Sequence, residues 1–140
     1  MEAKVTLIEG MELKGEASSG HSVTMDAEIA HGGRDAGFRP MELILVALGG
    51  CTGMDVLSIL RKKKQDITGF EVRVKGERAE THPMVYREIR VEYIVKGKDI
   101  SEDAVKKAIM LSEEKYCSVE AMLRPGVKIT SGYRIIANGS

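Results

Sequence analysis

The run Leu43-Ile44-Leu45-Val46-Ala47-Leu48 is apolar on every face of a helix. It follows Pro40, a residue suited to the first helical position because its missing N–H has no intrahelical partner to lose. The helix this predicts extends to about Lys64 and ends on Arg61-Lys62-Lys63-Lys64, cations that suit the negative end of the helix dipole. A helix that is apolar all round is buried all round. A chain of 140 residues has the length of one domain and little material to surround such a helix. The sequence therefore predicts a single domain over residues 1–140, with a second copy of the chain covering part of the helix.

The flanking segments read mostly as strands. Val5-Thr6-Leu7-Ile8, Met11 to Ala17 and His21 to Ala30 are separated by Glu9-Gly10 and Ser18-Ser19-Gly20, turns short enough for an antiparallel meander. A loop with three glycines covers His31 to Arg39. Phe70 to Glu77 and Tyr86 to Val95 alternate, with Glu71, Arg73 and Lys75 outward on the first and Ile89, Val91, Tyr93 and Val95 on one face of the second. Ser101 caps a helix that runs to about Tyr116, with Glu102 and Asp103 in its first turn. A short helix, Ser118 to Leu123, and a strand, Val127 to Ile136, close the chain. The order βββ-α-ββ-αα-β is an α+β layout around one central helix.

Composition narrows the function. Hydrophobic residues make up 43% and charged residues 30%, which excludes a disordered chain. Lys+Arg and Asp+Glu are both 21, so the basic excess of a nucleic-acid or anionic-membrane binder is missing. No apolar run approaches the ~18–20 residues of a membrane span. The start, Met1-Glu2-Ala3-Lys4-Val5, lacks an apolar signal core. The expectation is a cytoplasmic protein with neither nucleic acid nor membrane as partner.

Two cysteines carry the chemistry on offer. Their separation fits no CxxC or zinc pattern, so neither metal nor cofactor is expected. In a reducing compartment each is a small apolar filler or a chemical thiol. Cys51 follows Gly49-Gly50 inside the helix, and two interior glycines cost roughly 2 kcal/mol against alanine. A helix crossing, a kink or access to the thiol must compensate. Cys117 lies between two helices. If it or Ser118 caps the short helix, the helix N-terminus lowers the thiol pKa; otherwise it is a buried apolar residue beside Tyr116 and Val119. Glu42, at the third helical position, stabilises the helix start by itself. On a straight helix Glu42 and Cys51 point to opposite sides, ~13 Å apart along the axis. A joint role then needs the other subunit or a bend at Gly49-Gly50. Thr52-x-x-Asp55 has the form of a capping box but falls in mid-helix. His21, His31 and His82 have no ligand spacing.

Pro40-Met41-Glu42-Leu43, Ala47-Leu48-Gly49-Gly50-Cys51 and Asp55-Val56-Leu57-Ser58-Ile59-Leu60, with Lys115-Tyr116-Cys117-Ser118-Val119 downstream, resemble the two cysteine motifs of the OsmC/Ohr family. The resemblance covers nearly the whole chain and looks closest to the YhfA-like branch. It implies an OsmC/Ohr-like α+β fold, antiparallel sheets around a long central helix, as an intertwined homodimer with active sites at the subunit interface. It also implies a thiol-dependent peroxidase for organic hydroperoxides, serving oxidative-stress defence and recycled by a dithiol reductant of lipoyl type. By that resemblance Cys51 is the peroxidatic thiol and Cys117 the resolving one. Glu42 matches the carboxylate that holds an arginine against the thiolate, with Arg34 the first candidate and Arg39 the second. Two readings of the residues stay open beside it. One is a non-catalytic dimeric module binding a small apolar ligand at the subunit interface. The other is a different thiol enzyme, such as an acyl-transfer catalyst, which needs a base near Cys51.

Overall fold

The computed structural model describes residues 1–137. Two compact units divide the chain, Met1–Ile44 and the part from Leu45 onward.

In the first unit β1 (Ala3–Glu9), β2 (Glu12–Ala17) and β3 (Ser22–Met25) form an antiparallel sheet in that order. This is the expected meander. The third strand stops at Met25 rather than near Ala30, because Asp26 turns the chain. Its buried carboxylate accepts N–H bonds from Ala27 at 2.7 Å and from Arg34 and Ala36 at 3.1 Å each. Burial works against its charge, and the bonds from Ala27, Ala36 and Arg34 outweigh it, holding the carboxyl below its usual range. The glycines of this loop serve close packing. A Cβ on Gly33 would fall 2.0 Å from the Ala27 carbonyl oxygen, and one on Gly37 would fall 2.4 Å from that of Thr24.

The boundary between the units falls inside α1 (Pro40–Lys62), which is 23 residues long and unbroken through Gly49-Gly50. The second unit continues with β4 (Asp66–Arg78), β5 (Tyr86–Lys98), α2 (Glu102–Leu111), a π-helical turn (Ser112–Tyr116), α3 (Ser118–Leu123) and β6 (Lys128–Ala137). The chain order of elements is the one the sequence predicts. Ser101 caps α2, its side chain accepting the Ala104 N–H. The predicted helix to Tyr116 ends as α-helix at Leu111 and finishes as the wider π turn.

The sheet order is β4-β5-β6. β4 and β5 form an antiparallel hairpin, but β6 runs parallel to β5, from Glu88↔Lys128 to Gly97↔Ala137. The expected antiparallel pairing therefore fails for the last strand. A parallel neighbour needs a crossover connection, and α2, the π turn and α3 supply it. β5 is the middle strand, and its Ile89, Val91, Tyr93 and Val95 are buried, as are Leu48, Val56 and Leu60 of α1 and Val105 and Ala108 of α2. Gly49 and Gly53 bring α1 close to β4, since a Cβ on them would meet Val74 at 3.0 Å and Val72 at 3.3 Å.

Within one chain α1 is buried on one stripe, not all round. Leu48, Thr52, Val56 and Leu60 lie inside, while Val46 is 55% and Met54 76% exposed. By length and composition α1 is apolar enough to cross a membrane, with a mean hydropathy of 2.0 over its best window. The sequence count missed this because glycine and threonine interrupt the apolar run without lowering mean hydropathy much. In the fold α1 is a packed element, tied through Thr52 and Asp55 to β5 and the π turn.

A two-cysteine candidate active site

Cys51, Asp55 and Cys117 meet. The two sulfurs and a carboxylate oxygen of Asp55 all lie within 4.8 Å of one another. Both cysteines are free thiols. Asp55 is four residues after Cys51 on α1, one turn along the same face. Cys117 arrives from a distant part of the chain. The π turn delivers it, its N–H donating to the Ser112 carbonyl at 2.7 Å. Turns of this type often occur at functional sites.

Cys117 is the N-cap of α3, and its Sγ accepts the Glu120 N–H at 3.4 Å. The expected lowering of its pKa is nevertheless overridden. Burial pushes the thiol up to about 12; the Glu120 N–H opposes this, and the neighbouring Cys51 and the Glu120 charge add to it. Cys117 is 3% exposed, whereas Cys51 is half-buried. The upward direction disfavours the Cys117 thiolate at neutral pH.

A chain of hydroxyls backs the site. Ser112 Oγ donates to Asp55 Oδ2 at 2.9 Å, and Thr52 Oγ1 lies 2.7 Å from both Ser112 Oγ and Tyr93 Oη. One hydroxyl has one proton to give. With Ser112 committed to the carboxylate, Thr52 donates to Ser112, and Tyr93 donates to Thr52. Burial drives the Tyr93 phenol well above its ordinary range, the Thr52 bond opposing the shift.

Two more carboxyls sit near this corner. Glu120 is 5% exposed, and its Oε2 makes no hydrogen bond; Arg124 stands 3.5 Å away, within ion-pair range but outside hydrogen-bond geometry. Glu113 accepts the Ser131 hydroxyl at 2.7 Å. Burial above all raises the pKa of each; the Ser131 bond and Arg124 oppose it at Glu113, and Arg124 opposes it at Glu120.

The remaining predicted residues belong to the first unit. Arg34 pairs with Glu9 at 3.3 Å and with Glu12. Arg39 donates to Asp35 at 2.6 Å and to the Gly37 carbonyl at 2.9 Å. Glu42 accepts the Arg39 backbone N–H at 2.8 Å, the carboxylate half of a capping box. The chain thus gives Glu42 its helix-start role and engages both guanidinium groups locally. His21, His31 and His82 are all exposed. An open groove of ≈ 510 Å³ runs along α1 and β4, lined by Leu45, Val46, Gly50, Met54 and Phe70 among others. Neither cysteine lines it.

The family model described as OsmC-like protein matches residues 30–132. The chain belongs to the OsmC-like family. The protein YhfA of Escherichia coli strain K12 is 42% identical over 137 residues, which cover 98% of this chain and 99% of YhfA. A solved structure of a hypothetical protein from Aquifex aeolicus VF5 is 36% identical, with a TM-score of 0.80 and coverage of 96% of both chains. The organic hydroperoxide resistance protein OhrB of Bacillus subtilis is 19% identical, with a TM-score of 0.61 and coverage of 96% and 98%, and shows a shared fold. The α+β architecture described above is this OsmC/Ohr fold.

Sequence reasoning missed Asp55, Ser112 and Tyr93 as members of the cluster around the two cysteines. The signals were slight: an acid one helical turn after Cys51, and a serine at an inward position of an otherwise apolar helix face.

Proposed function

We propose that this OsmC-like chain is a thiol-dependent peroxidase that reduces organic hydroperoxides through Cys51 and Cys117. The observation that carries the reading is the meeting of two free thiols of unequal exposure, with their sulfurs within 4.8 Å. Family membership, with relatives named for organic hydroperoxide resistance, supports it. The Cys51 thiolate attacks the O–O bond. An S–O bond forms, the O–O bond breaks, and the alkoxide takes up a proton to leave as alcohol. The resulting sulfenic acid condenses with the Cys117 thiol to a disulfide and releases water. An external dithiol, lipoyl-type by family resemblance, then reduces the disulfide, which suits a reducing cytoplasm.

The working unit in this proposal is a homodimer, for which the exposed Val46 and Met54 of α1 offer an apolar face. Glu42 of one copy then serves Cys51 of the other, holding Arg34 or Arg39 released from its local acids. The rival reading, a non-catalytic module for a small apolar ligand, has the groove along α1 in its favour.

Titration of the reduced protein with cumene hydroperoxide, followed by intact mass and free-thiol count, separates the two readings. The peroxidase loses two thiols and about 2 Da per chain as one disulfide forms. Cys51→Ser does not react, and Cys117→Ser turns over once and then over-oxidises. Thiols that stay unreactive at stoichiometric peroxide, or full activity in Cys51→Ser, overturn the proposal.

A further inference from the structure

The same three side chains have a second competence. Two sulfurs and a carboxylate oxygen within 4.8 Å of one another form a converging donor set. A tetrahedral zinc ion with ~2.3 Å bonds to sulfur and ~2.0 Å bonds to oxygen sets its ligands roughly 3.5–3.8 Å apart, so small side-chain rotations close the set around an ion. Hydrogen-bond donors already aim at two of the three ligand atoms. The Glu120 N–H points at Cys117 Sγ, and Ser112 Oγ–H at Asp55 Oδ2, at 3.4 and 2.9 Å. Such outer donors orient metal ligands. One oxygen of the nearby Glu120 carboxyl is buried without a hydrogen bond.

We propose that Cys51, Cys117 and Asp55 form a three-ligand site for a thiophilic divalent cation of the zinc type in the reduced protein. Binding exchanges the two thiol protons for the cation, with no change of oxidation state. Water takes the fourth position. Asp55 completes the site from the same face of α1 as Cys51, which the spacing of the cysteines alone conceals. Cation and peroxide then exclude each other. A loaded site withholds the thiols from oxidation, and a disulfide removes two of the three ligands.

The test uses the reduced full chain and Cd²⁺, whose thiolate bonds give an ultraviolet charge-transfer band. The expected result is one Cd²⁺ per chain and release of two protons. Cys51→Ser or Cys117→Ser abolishes the stoichiometric band, and the disulfide form shows none. Asp55→Asn, with an unchanged circular dichroism spectrum, binds about tenfold or more weakly. Zinc X-ray absorption of the loaded wild-type protein needs no variant, and shows two sulfur and two lighter ligands. No band at stoichiometric Cd²⁺, undiminished binding in a folded Asp55→Asn, or fewer than two sulfurs around zinc overturns the proposal. Hydroperoxide titration of the same preparation without metal judges the peroxidase reading separately.

Discussion

Thr52→Val and Tyr93→Phe each delete one hydroxyl from the buried chain that ends on Asp55, and their costs differ because the chain has a direction. Tyr93→Phe removes only the terminal donor and leaves Thr52 donating to Ser112, a loss of about 1 kcal/mol or less. Thr52→Val strands the Tyr93 hydroxyl in a fully buried position, at about 1–3 kcal/mol. Urea denaturation of the two variants measures the difference, and equal losses contradict the direction. Glu120 gives a pH signature. Burial and Glu113 raise its carboxyl above the ordinary 4.5, so the native state holds a proton that the unfolded chain has released. Stability is then full below the ordinary value and falls as pH rises through the raised one. Glu120→Gln should flatten that decline in the urea midpoint between acid and neutral pH. At this scale the two cysteines were legible because their neighbours form motifs. Asp55 was not, because its partner Ser112 comes from a distant segment, and a one-dimensional pattern shows only a mid-helix acid.

Elements were easier to read than their directions. Alternation, caps and turns located every strand and helix of the second unit, because those signals are local. The sense of β6 was hidden, since an alternating strand has the same pattern parallel or antiparallel. The π turn was hidden too, since Ser112 to Tyr116 carries no breaker to distinguish it from α-helix. The β4–β5 hairpin offers a steric test. A Cβ on Gly76 would lie 2.5 Å from two ring carbons of the buried Tyr86. Gly76→Ala should cost about 1–3 kcal/mol by overpacking, read as a lowered thermal midpoint. An unchanged midpoint means that the ring moves freely.

For the whole molecule, the sequence pointed to a second copy by an argument of material: one small domain cannot enclose a helix apolar on all sides. The single chain leaves Val46 and Met54 of that helix in solvent. Val46→Glu should therefore convert the proposed dimer to a monomer in light scattering, whereas a wild-type protein that is already monomeric removes the dimer from the functional scheme. The roles of Arg34 and Glu42 belong to this scale too, because they depend on the second copy. Arg34 and Glu42 were chosen by resemblance, and the fold engages them with Glu12 and with the Arg39 backbone.

Ser112 is a junction of two networks. Its carbonyl holds the Cys117 N–H, and its hydroxyl holds Asp55. One residue therefore ties the backbone that carries Cys117 to the carboxylate that stands beside both thiols.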